Sequence, residues 1–156
     1  MLIYIVDDRG IHGEYVEFLH AYSGRLPSFE TEVFTHWQAL YEAISRRQPD
    51  VVMADMRFDA TPSDELYGDI DGLAQTSQFG GNRDRAEAQI RGMQGLLICR
   101  ALREHQIRVP IILFASLPAQ SVQNVQRMLQ PIRVIEGLIL NDVRDALREI
   151  VMFQPT

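Results

Sequence analysis

Pro49-Asp50-Val51-Val52-Met53-Ala54-Asp55-Met56 is a short apolar run, rich in β-branched residues and without polar alternation. A run of that kind suits a strand buried on both faces, as in a parallel sheet. It ends on a carboxylate, Asp55, and in an open parallel α/β sheet the carboxyl ends of the strands line the ligand crevice. A second apolar run, Leu2-Ile3-Tyr4-Ile5-Val6, also ends on acid, Asp7-Asp8. Two neighbouring strands would then deliver three carboxylates to one sheet edge. Like charges repel there unless a cation or a proton sits among them, and a ligand set made of oxygen alone suits Mg²⁺. The plainer alternative is that each Asp caps the helix after its strand. Two matched runs favour the acidic site over two independent caps.

The chain has 156 residues, enough for one well-packed domain over 1–156 and short for two. At 46% hydrophobic and 23% charged it has the composition of a soluble globular protein. A formal net charge of −6 argues against non-specific binding to nucleic acid or to an anionic membrane. The lone Cys99 excludes an intramolecular disulfide and, set in an apolar stretch, reads as a buried thiol rather than a nucleophile. The amino terminus lacks a basic leader with a cleavage site, and no apolar stretch approaches bilayer length, so a cytoplasmic location is expected. Every basic residue is arginine. The absence of lysine removes P-loop, Schiff-base and lysine-dependent nuclease mechanisms.

Around the two acid-ended runs the pattern alternates. Residues 9–25 are expected as a helix, with Ile11, Tyr15, Phe18, Leu19 and Tyr22 at helical spacing, closed by Gly24 and Pro27. Thr31-Glu32-Val33-Phe34 reads as a strand. Thr35 is the expected cap of a helix with Trp37, Leu40, Tyr41 and Ile44 on one face, where the aromatics read as core. After Asp55, residues 57–92 are polar, acidic and turn-rich; a loop of that length is functional or disordered more often than passive. Residues 83–91 suit a short helical turn. Gly68-Asp69-Ile70-Asp71-Gly72 lacks the third acid and the terminal Glu of a Ca²⁺ loop. Regular pattern resumes with a helix from Met93 to near His105, a strand over 109–115, a helix over 119–130 and a strand over 132–135. A last helix follows, for which Asn141 is the expected cap. His12, His20, His36 and His105 lack metal-ligand spacing.

Strand followed by helix, five times over, demands right-handed crossovers and a covered parallel sheet. The expected class is α/β: a doubly wound five-stranded parallel sheet in the order 2-1-3-4-5, a flavodoxin-like three-layer sandwich. A long acidic insertion, residues 59–92, falls between the third strand and the third helix. That order puts the first and third strands side by side at the switch point, where Asp7, Asp8 and Asp55 converge.

Ile5-Val6-Asp7-Asp8, Pro49 to Met56, Met93-Gln94-Gly95-Leu96, Val109-Pro110-Ile111-Ile112 and Val134-Ile135-Glu136, in that order and spacing, resemble a CheY-like receiver domain of a bacterial response regulator. The likeness covers essentially the whole chain apart from the insertion. It implies that Asp7 and Asp8 hold Mg²⁺ together with Asp55 and the backbone carbonyl of Arg57. It also implies that Asp55 accepts a phosphoryl group from a histidine kinase or phosphotransfer protein. In such a protein Mg²⁺ neutralises the acids and orients the incoming group. The output would be contact with a protein partner, with the 59–92 insertion as the expected contact element; replacing Asp64 to Arg83 with a short Gly/Ser linker is expected to leave a folded domain that loses the partner. A homodimer is compatible with the pattern, and a nucleic-acid or membrane partner is not expected.

The sequence departs from the family at three switch positions. Ala115 stands where the family has Thr or Ser, with Ser116 one step on. Val134 stands at the aromatic position, or Leu138 if the alignment shifts. Gly137 stands at the lysine position, or Asn141 on the shifted alignment. The leading expectation is therefore an atypical, stand-alone receiver, not an enzyme, with no output domain following the last helix. The alternative is a phosphorylation-independent pseudo-receiver acting as a protein-interaction module. A Mg²⁺-dependent phosphotransferase or hydrolase is disfavoured, because no Gly-rich phosphate loop follows the first strand.

Overall fold

In the computed structural model, which describes residues 1–152, the apolar runs form five strands. They are β1 (Leu2–Val6), β2 (Glu30–Phe34), β3 (Val51–Asp55), β4 (Ile111–Phe114) and β5 (Ile132–Ile135). All neighbours pair in parallel, in the order β2-β1-β3-β4-β5. The expected doubly wound sheet is thus the one formed. Side-chain burial follows from position in that sheet. The central strands β1 and β4 are buried throughout, and β3 is buried up to Asp55, whereas the edge strands β2 and β5 are only partly covered.

The helices are α1 (Glu14–Ala21), α2 (Trp37–Arg46), α3 (Ile70–Ala74), α4 (Arg83–Gly92), α5 (Gln94–Glu104), α6 (Ala119–Met128) and α7 (Leu140–Met152). Alternate residues of each strand point to opposite faces, and this splits the core in two. Ile3, Ile5, Val51, Met53, Ile112 and Phe114 pack against Tyr15 and Leu19 of α1 and Val143 and Leu147 of α7. Tyr4, Val6, Val52, Ala54 and Leu113 pack on the other face against Leu40 of α2 and Ile98 and Leu102 of α5. Cys99 lies in this second core, and burial pushes its thiol up to about 12, as expected of a structural cysteine. Among the described residues no helix is long and apolar enough to cross a membrane.

Several local expectations are corrected. The helix expected over 9–25 is broken: a 3₁₀ turn at Gly10–His12 precedes Gly13, which is extended, and α1 starts only at Glu14. A Cβ at Gly13 would overlap the Asp7 carboxylate, so any side chain there would have to displace it. Ile11 lies in the 3₁₀ turn and is 72% exposed, not on the apolar face. The residue capping α2 is His36, without a side-chain cap bond; Thr35 is instead within hydrogen-bond distance of the His36 ring. Asn141 lies inside α7, which begins at Leu140.

The largest correction concerns the insertion, which folds into the domain. Asp69 caps α3 by accepting from the Gly72 N–H at 2.9 Å, and Asn82 caps α4 by accepting from the Arg85 N–H at 3.1 Å. The five-residue stretch without a full Ca²⁺ ligand set thus starts a helix. Phe58, Leu66, Ile70, Ala74, Phe79, Ala86 and Ile90 are buried in the α2–α5 core. Fully buried Gln94 locks the segment down. Its Oε1 accepts from the Tyr67 N–H at 2.7 Å and its Nε2 donates to the Tyr67 carbonyl at 3.0 Å. A segment holding this much apolar surface is not excisable without opening the core.

Candidate functional site

Parallel pairing sets Val6 opposite Ala54, so Asp7 and Asp55 leave β1 and β3 side by side. Each of Asp7, Asp8 and Asp55 offers a carboxylate oxygen within 4.8 Å of the others. They open on a cavity of about 500 Å³, whose wall also includes Arg9, Glu14, Arg57, Asp59 and Ala60. Three of the four expected ligand residues are therefore brought together by their carboxylates, and Arg57 lines the same opening.

The three acids sit in different surroundings. Asp7 is 2% exposed. Its Oδ1 accepts from the Arg9 N–H at 3.2 Å, while Oδ2 is buried without a hydrogen-bond partner. Burial, and after it the adjoining Asp8 carboxyl, push the Asp7 carboxyl up to about 7. Asp8 is half-buried, and its Oδ2 accepts from the Ala60 N–H at 2.8 Å. Asp55 is also half-buried, and its Oδ1 accepts twice, from the Tyr15 hydroxyl at 2.8 Å and from the Met56 N–H at 2.8 Å. Burial raises the Asp55 pKa, and those two bonds oppose it. Burial, then the Asp55 charge, raise the Tyr15 phenol above its ordinary range, so it remains a protonated donor.

Sequence reasoning missed two of these partners. Tyr15 reads as core because its ring is core, tilted against Phe114 at 4.9 Å between centroids. The only signal was a hydroxyl at a helix position where phenylalanine would pack equally well. Ala60 contributes a backbone N–H, which leaves no trace in side-chain chemistry. Its loop is held by Arg91 of α4, whose Nη1 donates to the carbonyls of Phe58 at 3.0 Å and Thr61 at 2.7 Å. The Thr61 hydroxyl in turn donates to the Thr35 carbonyl at 2.9 Å.

Of the switch positions, Ala115 follows Phe114, the β4 residue paired with Asp55, and so stands at the same edge of the sheet. Ala115 is buried, and its N–H donates to the Ile135 carbonyl at 3.0 Å. The Ser116 hydroxyl donates to Glu136 at 3.2 Å, at the end of β5. The Val134 N–H donates to the Gln126 side chain at 3.2 Å, and a Cβ at Gly137 would meet nothing within 4 Å. The Arg57 guanidinium is engaged by Asp59, 2.8 Å from Nε to Oδ2.

A hard divalent cation fits this donor set. Three carboxylates supply oxygens only, and the buried, unpartnered Asp7 Oδ2 is a group that a cation would satisfy.

No family model and no curated protein sequence matches the chain. Solved structures do. The receiver domain of nitrogen regulatory protein C is similar with a TM-score of 0.60 at 15% identity, covering 99% of this chain and 97% of that one. A Francisella response-regulator receiver domain is similar with a TM-score of 0.61 at 10% identity, covering 97% and 96%. The signal receiver domain of the response regulator NarL from Mycobacterium tuberculosis gives 0.59 at 15% identity, covering 98% and 97%. At these identities the likeness is one of fold, and the fold is the CheY-like receiver fold.

Proposed function

We propose that this chain is an atypical receiver module of two-component or phosphorelay signalling, which accepts a phosphoryl group on Asp55 and acts through protein contacts. The observation that carries the reading is the convergence of Asp7, Asp8 and Asp55 within 4.8 Å at the switch point of the sheet. A structural role does not require three acids at one edge, where their mutual repulsion destabilises the fold. Asp7, Asp8 and Asp55 would hold Mg²⁺, with the Arg57 carbonyl as a further ligand. The ion, when bound, supplies charge neutralisation around the reacting oxygens. The chain itself supplies the acceptor. Asp55 Oδ1 is occupied by two donors, which leaves Oδ2 for the phosphoryl group. The donor would be a histidine kinase or phosphotransfer protein in the cytoplasm, and the module passes on a state rather than turning over a substrate. The insertion adjoins the site through the Ala60–Asp8 bond, which suits it to carry that state to a partner.

A second reading, a phosphorylation-independent interaction module, is favoured by the same two bonds. Tyr15 on Asp55 and Ala60 on Asp8 partly satisfy the site from within the chain, and no lysine exists to grip a phosphoryl oxygen. Intact mass after incubation with acetyl phosphate separates the two. The first reading expects the gain of one phosphoryl group with Mg²⁺, lost with chelator and in Asp55→Asn. A wild-type mass that stays unchanged while Mg²⁺ is bound would establish the second.

A further inference from the structure

We propose that Tyr15 is a positioning residue for the acceptor carboxylate: its hydroxyl fixes Asp55 Oδ1, makes Oδ2 the acceptor atom, and shortens the life of the aspartyl phosphate. The inference rests on the phosphoryl-acceptor reading of Asp55 and concerns a residue on a different element, α1. The bond spans forty residues of sequence, from Tyr15 Oη to Asp55 Oδ1 at 2.8 Å. The ring that aims it is 4% exposed and wedged against Phe114 of β4. A buried phenol packed against a neighbouring ring donates along a restricted direction, so the carboxylate is held rather than merely touched. Met56 N–H, also on Oδ1, leaves the second oxygen free of both donors, on a residue that lines the cavity.

The chemical consequence follows from charge. On phosphorylation, Oδ2 forms the bond to phosphorus, and the bond from phosphorus to the donor breaks with its electron pair on the donor. Oδ1 then becomes the carbonyl oxygen of a mixed anhydride. On hydrolysis, water attacks phosphorus and gives its proton to the departing phosphate, and the Oδ2–phosphorus electron pair returns to the carboxylate. A hydrogen bond to a carboxylate is about twice as strong as one to a neutral carbonyl. Tyr15 therefore stabilises the free carboxylate more than the acyl phosphate. In a loose phosphoryl-transfer transition state the carboxylate keeps most of its charge. The bond is then present in the ground state and the transition state of phosphorylation alike, and weak only in the phosphorylated state. Its loss should change the forward rate little and slow hydrolysis.

The test is Tyr15→Phe, which keeps the ring and deletes the donor. Time courses of intact mass with acetyl phosphate, then after its removal, give both rates. The expected result is a forward rate within about twofold of wild type and a phosphoryl half-life about tenfold longer. A site-specific 3-fluorotyrosine at position 15, a stronger donor of nearly the same shape, should shorten the half-life. A merely structural tyrosine would lower the melting temperature and the forward rate together and leave no ordered trend across Phe, Tyr and fluorotyrosine. That outcome, or an unchanged half-life in Tyr15→Phe, overturns the inference while leaving Asp55 as the acceptor. A wild-type chain that never gains the phosphoryl mass overturns the acceptor reading, and this inference falls with it.

Discussion

Asp7 carries the highest electrostatic cost in the site. Its folded-state pKa, about 7, lies above the ordinary value of 3.8, so the folded chain binds a proton that the unfolded chain has already released. The sign follows from linkage. Stability is greatest near and below pH 4 as far as this group is concerned, and falls as pH rises toward 7 and beyond. Asp7→Asn should accordingly stabilise the metal-free protein at pH 8 by about 2 kcal/mol and leave it little changed at pH 4. Chemical denaturation at the two pH values, without divalent ions, measures this; equal effects at both would show that the burdened group is not Asp7. Wild type in saturating Mg²⁺ should lose most of the pH dependence, because the ion replaces the proton. At this scale the acids were legible from sequence because strand ends are marked by a change from apolar to charged residues. Tyr15 was not, because helical spacing reports where a ring packs and is silent on where its hydroxyl points.

Among the elements, the insertion and the start of α5 do most to shape the site. Gly95 sits where a Cβ would overlap the Asp55 backbone carbonyl, and its N–H donates to the Met56 carbonyl at 2.9 Å. Gly95→Ala should therefore displace β3 from α5, at a cost of about 2 kcal/mol or more, and weaken Mg²⁺ binding with it. A variant with wild-type stability and affinity would mean that the two elements separate freely. Arg91 is 16% exposed at its side chain and binds three backbone carbonyls of the Ala60 loop. Arg91→Met keeps much of the aliphatic stem but leaves the buried acceptors unsatisfied, an expected loss of about 2 kcal/mol. Hydrogen exchange at residues 57–65 should rise in that variant while the β1 and β3 amides stay protected. The central strands β1, β3 and β4 were legible because unbroken apolar runs admit few alternatives. The insertion was not, because its buried residues, Leu66, Ile70, Phe79 and Ile90, are spread through polar sequence in short caps and turns with no sustained period.

For the whole molecule, the question is where the site's state is transmitted. On the proposed receiver reading, Ala115 and Gly137 stand at the hydroxyl and lysine positions on the unshifted alignment, and neither has a side chain that could contact a phosphoryl group. A ligand shifts an equilibrium only through contacts that differ between two states. Besides the Tyr15 bond within the site, a contact that can differ and leads out of it is Ala60 N–H on Asp8 Oδ2, which competes with a cation for the same carboxylate. Mg²⁺ binding should therefore alter exchange protection across residues 57–92 and leave α6 and α7 nearly unchanged. Protection changes confined to those two helices would instead point to Ser116 and Glu136 as the relay. The sheet order was legible as one that brings the acid-ended strands together; this route out of the site was not, because it runs through a backbone amide. All of this depends on the three carboxylates acting as one cation site. The most direct measurement is a Mg²⁺ titration followed by the carboxyl ¹³C resonances of Asp7, Asp8 and Asp55. The expected result is that all three shift with a single common midpoint, and that Asp8→Asn weakens the response of the other two. Resonances that move with separate midpoints, or an Asp55 signal indifferent to Mg²⁺ and to Asp8→Asn, would contradict it.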